Sequence, residues 1–256
     1  MMEHGSNLLP KHGLVECRRC WQSLGTHTEY VSKDSKFKLV NDPAAWGSRE
    51  PRILVLGMTK GNTQSNAISA CISQGDFDKV AYANFRDRLT AVLHIVGLAE
   101  NTVSVDSLIT SKETYFGWGS VIRCSLTGWD ADHNQFSGES GRVLPAFNHL
   151  EMKTVVRNCF SEFLSALPER TKLVVLLGNS DSSLKKMRRI VEEFYPTESR
   201  AEPEYERVSY SAGGKRWVHE DIRQGATGTL ITSCRMMRTL SRGKSETSQG
   251  LQFSAR

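Results

Sequence analysis

The segment Pro51–Gly57, with the sequence PRILVLG, is a short apolar run that ends in glycine. Such a run is typical of a strand that is buried on both faces of a parallel sheet. A polar loop that contains Gly61 is predicted to follow over residues 58–66. Elsewhere, apolar runs predict strands at 115–124 and 172–178, and amphipathic stretches predict helices at 80–96, 151–167 and 184–194. Strands that alternate with helices predict a three-layer α/β/α fold with a central, mostly parallel four-stranded sheet.

Turn residues and polarity complete this assignment. They predict a long polar loop at 126–143, two strands at 207–210 and 215–219 joined by a glycine turn, and a helix at 229–240. A chain of 256 residues is most economically organised as one domain. We expect that domain over residues 1–242, including a cluster-binding N-terminal segment, and a disordered polar tail over residues 243–256.

The predicted order of strands also predicts where a ligand binds. In open parallel sheets the binding site lies beyond the carboxyl ends of the strands. The segments that follow those ends, and are therefore expected around one cleft, are 57–66, 120–124, 178–181 and 219–229.

Composition and charge describe the class of protein. Hydrophobic residues make up 39% of the chain and charged residues 24%, as in a soluble globular protein. The longest apolar runs are too short to span a bilayer, and no secretory leader is visible, so we expect a cytoplasmic protein without a membrane partner. In that compartment cysteines are metal ligands or reduced thiols rather than disulfides. The net charge of +5 suits a polyanion such as DNA. We expect a monomer.

Four of the six cysteines have the spacing of a metal centre. Cys17 and Cys20 form a CxxC pair, so one tight turn can direct two thiolates at one centre. Cys124 ends an apolar run (SVIRC), and Cys159 lies within a helical pattern. Four thiolates suit either a [4Fe–4S] cluster or a structural zinc ion. Cys124 and Cys159 are also compatible with ordinary buried core residues.

The order of these motifs resembles the uracil-DNA glycosylase superfamily, in particular its iron–sulfur branch, family 4. The motifs that carry the resemblance are CRRC, RILVLGMTKG, SVIRCS, RNCFSEFL, LVVLLGN and WVHEDI, which extend from about Cys17 to about Leu230. The resemblance implies that Cys17, Cys20, Cys124 and Cys159 hold a [4Fe–4S] cluster with a structural role. It also implies that DNA is the partner and that the reaction is removal of a base.

The resemblance further implies three catalytic candidates. His219 matches the histidine of the family's late motif and would stabilise the departing base, although Glu220 stands where proline is usual. The family's glycine loop carries an acidic residue that positions water, and this chain has none there. Asn62 is therefore the candidate for orienting the water. Lys60 is the candidate for a phosphate contact or for attack on the sugar as an amine.

The remaining candidates would bind the substrate. They are Gly57, Met58, Thr59, Gly61, Gln64, Tyr82, Phe85, Ser120 and Asn179. Tyr82 or Phe85 would stack on the flipped base, although aromatic residues on a helix more often pack in the core. Ser120 stands where the family reads uracil with asparagine, and serine lacks the paired donor and acceptor of a carboxamide.

These departures predict a substrate other than standard uracil DNA. A bulkier base, such as a hydroxymethylated or glucosylated cytosine of viral DNA, fits a smaller side chain at Ser120, and uracil remains the alternative substrate. Such an enzyme would serve antiviral defence or DNA repair. A non-catalytic iron–sulfur DNA-binding protein is the second reading, and a zinc-stabilised module unrelated to DNA is the third.

Overall fold

The computed structural model describes residues 8–178, 180–194, 209–212, 215–218, 223–224 and 230–235. In these ranges the strands are β1 (Gly13–Leu14), β2 (Glu29–Val31), β3 (Phe37–Val40), β4 (Ala44–Gly47), β5 (Ile53–Lys60), β6 (Phe116–Asp130), β7 (Gln135–Ser137), β8 (Leu173–Gly178), β9 (Ser209–Ala212), β10 (Lys215–Val218), β11 (Arg223–Gln224) and β12 (Leu230–Arg235). The helices are α1 (Trp21–Leu24), α2 (Asn62–Gln74), α3 (Arg86–Ile95), α4 (Val105–Leu108), α5 (Ser140–Val143), α6 (Leu150–Phe163) and α7 (Asp181–Phe194). Two 3₁₀ turns lie at Phe77–Lys79 and Leu144–Asn148.

Ten of these strands form one mixed sheet. Its main path has the order β1-β4-β6-β5-β8-β12-β11, while β3 and β7 pair with β6 and β2 pairs with β3. The pairs β6/β5, β5/β8 and β8/β12 are parallel. The other six pairings of this sheet are antiparallel. Strands β9 and β10 form a separate antiparallel pair, which confirms the hairpin predicted around the glycine turn.

The predicted fold class, a three-layer α/β/α fold with a central, mostly parallel four-stranded sheet, is wrong. The sheet has ten strands, and antiparallel pairings outnumber parallel ones. Strand β6 is the main cause, because its 15 residues extend well beyond the strand it parallels. Its free length forms antiparallel pairs with β3 and β7, and its first residues pair with β4. None of the strands β1 to β4 was predicted.

Apolar side chains on the two faces of the sheet form two cores. Along β5, Leu54 and Leu56 face one core while Ile53 and Val55 face the other, as expected from the two-residue repeat of a strand. The first, the cysteine-side core, is completed by buried residues of α6 and α7. The second, the opposite core, is completed by α2, α3 and α4.

Helix boundaries follow local sequence. Helix α2 is capped by Gly75, whose φ of 77° is the left-handed conformation that favours glycine and whose N–H donates to the Cys71 carbonyl at 2.8 Å. The six buried residues of α6 recur at helical spacing and face the cysteine-side core. The helix predicted at 80–96 forms only from Arg86, since the residues before it make turns.

Three segment predictions were wrong. Residues 58–60 continue β5 and α2 begins at Asn62, so 58–66 is not a loop. Much of the segment predicted as a loop at 126–143 belongs to the β6–β7 hairpin. The segment 229–240, predicted as a helix, contains strand β12 instead, and the residues of this strand pair in parallel with β8. Pairing with a distant strand explains residues 58–60, the second half of β6 and β12, where it overrides a local sequence that contains glycine or polar residues.

Candidate functional site

The carboxyl ends of the parallel strands lie along one edge of the sheet. Gly57 of β5 pairs with Ser120 of β6, and Leu56 pairs with Leu176, two residues before the end of β8. The β5–α2 junction, the middle of β6 and the start of α7 therefore meet at this edge, which we call the carboxyl edge. Ligand sites of parallel sheets form at this position.

Strand β6 carries a bulge at the carboxyl edge. Thr59 pairs with Ile122, but the next residue, Lys60, pairs with Ser125. Two residues of β6, Arg123 and Cys124, are therefore additional to the ladder. A bulge redirects the side chains it carries, and here they are a buried arginine and a buried cysteine.

The hydroxyl of Thr59, a residue of β5, forms hydrogen bonds with backbone groups at the bulge of β6. Thr59 Oγ1 donates a hydrogen bond to the Cys124 carbonyl at 3.0 Å and accepts one from the Leu126 N–H at 3.0 Å. Both backbone groups lie where the ladder is interrupted, so the side chain replaces the missing strand partner. Thr59, predicted to bind substrate, thus has its hydroxyl occupied inside the sheet.

Lys60 and Asp42 hold the same bulge from its other side. The Lys60 ammonium donates to the Arg123 carbonyl and lies 3.4 Å from Asp42 Oδ1. Asp42 accepts hydrogen bonds from the N–H and the hydroxyl of Ser125, each at 2.7 Å. Lys60 is 1% exposed, and burial lowers its pKa while Asp42 acts in the opposite direction. In this position the amine faces the interior, which does not favour the predicted contact with a phosphate or a sugar.

A threonine-to-valine change at the bulge should lower stability. Thr59→Val leaves the Leu126 N–H and the Cys124 carbonyl without their side-chain partner, so we expect the free energy of unfolding to fall by about 1–3 kcal/mol. Denaturant unfolding of the variant beside the wild type measures this. Thr127→Val is the matched control, because Thr127 is a buried threonine of the neighbouring strand β6 and makes one longer hydrogen bond, at 3.3 Å. Equal losses in the two variants would contradict a special role for Thr59.

The start of α2 is fixed against the β6–β7 hairpin. Asn62 is exposed and its Nδ2 donates to the Phe136 carbonyl at 2.6 Å. A Cβ at Gly138 would lie 2.6 Å from the Gly61 Cα, so this close approach requires glycine at position 138. Within the described part of the chain, the Asn62 amide oxygen has no hydrogen-bond partner and is available to a water molecule. Gln64, two residues further along α2, is half-buried.

The predicted base-binding residues have different surroundings. Ser120 is buried, with 5% exposure. Tyr82 donates its hydroxyl to the Gly119 carbonyl at 2.9 Å, and the Gly57 N–H donates to the same hydroxyl. Burial raises the pKa of Tyr82, and its ring contacts Trp118 edge-on. The Tyr82 hydroxyl therefore bridges the two strands.

Two further candidates differ in exposure. Phe85 is 45% exposed, so its ring remains available for stacking, whereas Met58 belongs to the cysteine-side core. His219 and Asn179, the remaining predicted site residues, lie outside the described residues.

The four predicted ligand cysteines meet in the cysteine-side core. Cys20, Cys124 and Cys159 are buried members of this core, and Cys17 packs against it. The thiols of Cys20 and Cys159 interact directly, and Cys124 interacts electrostatically with both cysteines of the CxxC pair. The fold thereby brings together cysteines from three parts of the chain: the N-terminal segment, β6 and α6.

Nearby N–H groups point at three of these sulfurs. The backbone N–H of Arg19 donates to Cys17, and the Asn158 Nδ2 donates to the Cys20 Sγ at 3.5 Å. The backbone N–H of Arg123 donates to Cys159. Donors of this kind stabilise thiolates and tune the metal centres that thiolates bind.

Burial opposes ionisation of most of these thiols. It raises the pKa of Cys17 and raises that of Cys124 to about 12. The hydrogen bond between Cys20 and Cys159 lowers the pKa of the former and raises that of the latter. A metal centre would have to displace these protons on binding. Among the described residues, no group of three or more His, Cys, Asp or Glu side chains has the arrangement of a metal-ion site.

Two residues of the site, Arg123 and Asp42, were not predicted from the sequence. Arg123 was detectable, because it is a charged residue inside an apolar run that ends in a candidate ligand (SVIRC). Asp42 gave no such indication, since its partners Lys60 and Ser125 are distant in sequence.

Comparisons with known proteins leave the family open. No protein-family model, curated protein or solved structure matches the chain.

Within the described ranges, the helices are too short or too polar to cross a lipid bilayer.

Proposed function

We propose that this protein is a DNA glycosylase that flips a modified or damaged base out of DNA and hydrolyses its N-glycosidic bond. The product is free base and an abasic site. The observation that carries the proposal is the meeting of Cys17, Cys20, Cys124 and Cys159 in one core beside the carboxyl edge. The resemblance to the iron–sulfur uracil-DNA glycosylases implies that these four cysteines hold a [4Fe–4S] cluster.

The chemistry of the donor set fits a [4Fe–4S] cluster held by these four cysteines. They are soft thiol ligands in apolar surroundings, with N–H donors directed at three of the sulfurs. The cluster would join the N-terminal segment to β6 and α6, so its contribution is structural stability rather than a chemical step. Cys124 lies within the bulge that Thr59 and Lys60 hold, which connects the cluster directly to the carboxyl edge.

Different residues of this chain would contribute to different steps of base excision. Breaking the N-glycosidic bond leaves negative charge on the departing base, and His219 would donate a hydrogen bond to it. The exposed Asn62 would orient the attacking water through its amide oxygen. Gly57 and Ser120, paired across β5 and β6, would face the flipped base. Unstacking that base costs a few kcal/mol, which binding to the pocket must offset.

A non-standard base is the proposed substrate. Ser120 has a smaller side chain than the asparagine that the resemblance implies at this position, and the difference in volume would accommodate a substituent on the base. A hydroxymethylated or glucosylated cytosine of viral DNA fits these features, and a role in antiviral defence or DNA repair would follow.

Exposed basic residues of α7 should contribute to DNA affinity. Lys185 and Arg189 are exposed, one turn apart, on the helix that starts at the carboxyl edge. Changing both to glutamine should weaken binding and flatten its salt dependence, because fewer counterions are then released from DNA. Fluorescence anisotropy between about 50 and 200 mM salt measures both effects. The control is Lys112→Gln with Lys172→Gln, two exposed lysines near the amino ends of β6 and β8. Equal weakening by both pairs would contradict a DNA surface at the carboxyl edge.

The test of the proposed function is release of a base from defined DNA. Anaerobically purified protein is incubated with duplex and single-stranded DNA containing uracil, hypoxanthine, hydroxymethylcytosine or glucosylated hydroxymethylcytosine. Mass spectrometry of the released base, with detection of abasic sites, is expected to identify one substrate. Absence of release from every member of the panel by iron-loaded protein would reject the glycosylase.

A non-catalytic iron–sulfur DNA-binding protein is the second candidate. The observation that favours it is the internal engagement of the polar groups after Gly57: Thr59 and Lys60 bind the bulge, and the Asn62 Nδ2 binds Phe136. Such a protein would bind DNA in the salt-dependent manner described above and release no base. The panel separates the two candidates.

A further inference from the structure

Arg123 is a fully buried arginine at the carboxyl edge, with 1% exposure. Its guanidinium carbon lies 5.5 Å from the centre of the Phe163 ring. Its Nη1 is 3.5 Å from the carbonyl oxygens of Ala44 and Trp118, which is long for a hydrogen bond. Its Nε is buried and has no hydrogen-bond partner in the described part of the chain.

The positive charge of Arg123 has no carboxylate partner among the described residues. A buried charge is costly unless an opposite charge and hydrogen bonds compensate it. The ring face and two long carbonyl contacts supply only part of that compensation. By contrast, Lys60, the other buried cation of the bulge, is paired with Asp42. Arg123 therefore requires an anion that the described protein groups do not provide.

The cysteine cluster is the neighbour that can supply this anion. Phe163 and Cys159 are one turn apart on α6 and both face the cysteine-side core, so a guanidinium above the ring is close to the thiol. Cys159 and Arg123 interact electrostatically, and the Arg123 N–H donates to the same sulfur. Four thiolates bring more negative charge than a cubane core cancels, so a ligated [4Fe–4S] cluster is an anion.

The strand also leaves room for this side chain. A Cβ at Gly119 would lie 1.7 Å from Arg123 Nη1, so any other residue there would displace the guanidinium. Gly119 also accepts the hydrogen bond of Tyr82 and precedes Ser120. The arginine thus extends from the cysteines to the segment of β6 that would face the base.

We propose that Arg123 is the buried counter-charge of the [4Fe–4S] cluster, a positioning residue that retains the cluster and sets its reduction potential. This inference rests on the cofactor part of the proposed function and does not require base excision. Reduction adds an electron to an already anionic cluster, and a nearby buried cation makes that addition more favourable. Removing the charge should therefore move the midpoint potential to more negative values and weaken retention of iron.

The experiment compares wild type, Arg123→Met and Arg123→Lys as iron-loaded full-length proteins. Iron per chain after desalting and the midpoint potential from an anaerobic dithionite titration are measured. Arg123→Met, which keeps an unbranched side chain but loses the charge, is expected to lose iron or to show a more negative potential, while Arg123→Lys is expected to retain more of both properties. Arg19→Met is the matched control. Arg19 also lies near the ligand thiols, but it is half-exposed and paired with Glu162 at 2.6 Å, so water already screens its charge.

Wild-type iron content and potential in Arg123→Met would overturn the inference. If Arg123→Met is insoluble, the lysine variant decides. Soluble, iron-containing Arg123→Lys supports a requirement for charge, whereas loss of both proteins would mean that the site requires the shape of arginine and the inference is wrong. Iron-free wild type would reject the cofactor and this inference together. Iron-loaded wild type that releases no base would reject only the glycosylase.

Discussion

Cys17→Ser and Cys159→Ser are expected to abolish the brown colour of the protein and to reduce its soluble yield sharply. Each change removes one ligand from a set that joins the N-terminal segment, β6 and α6. Binding free energy of a structural metal centre is also folding free energy, so losing the centre destabilises the fold. Iron and sulfide per chain, visible absorbance and soluble yield after anaerobic purification measure the effect.

Cys71→Ser is the matched control for the ligand variants. Cys71 packs against the opposite core, and its Sγ donates to the Asp76 carbonyl at 3.2 Å. Serine can make the same hydrogen bond, so this variant should keep wild-type iron and colour. A colourless, iron-free and stable wild type would reject the cluster. Zinc in place of iron in that protein would support the zinc-stabilised module instead.

The strands that could be predicted from the sequence are those with continuous apolar runs. β5 and β8 begin within a few residues of the predicted positions, because Ile53–Leu56 and Leu173–Leu177 can be buried on both faces wherever they are placed. The second half of β6 contains Thr127 and Gly128 and has no such run. It is a strand because β3 and β7 pair with it, and this long-range pairing leaves no local pattern.

The candidate site shows the same division between local and long-range information. Spacing was sufficient to select Cys17, Cys20, Cys124 and Cys159, which the fold places in one core. The polar residues after Gly57 were predicted to face a substrate because they follow a buried strand. Two of them instead bind groups more than sixty residues away. The bulge at Arg123 creates those partners, and no pattern in the sequence indicates where a ladder shifts its register.

His219→Ala is expected to reduce the rate of base release by about 10²–10³-fold, the scale for removing one donor that stabilises transition-state charge. His219 lies outside the described residues, so this prediction rests on the resemblance of VHEDI to the family's late motif. DNA affinity should change little, because the hydrogen bond strengthens only as negative charge develops on the departing base. Single-turnover release from the base identified by the panel gives the rate, and anisotropy gives the affinity.

His133→Ala is the control that separates catalysis from general loss of a histidine. His133 is exposed on the β6–β7 hairpin and bonds to Asp130 at 2.8 Å, so its removal should leave the single-turnover rate within a small factor of wild type. A rate loss confined to His219→Ala, with unchanged iron and DNA affinity, identifies an interaction made only in the transition state. Parallel losses of rate and DNA affinity would instead indicate that His219 contacts the DNA before the reaction begins. Full activity in His219→Ala would transfer the catalytic role to the α2 start, where the exposed Asn62 is the residue to change next.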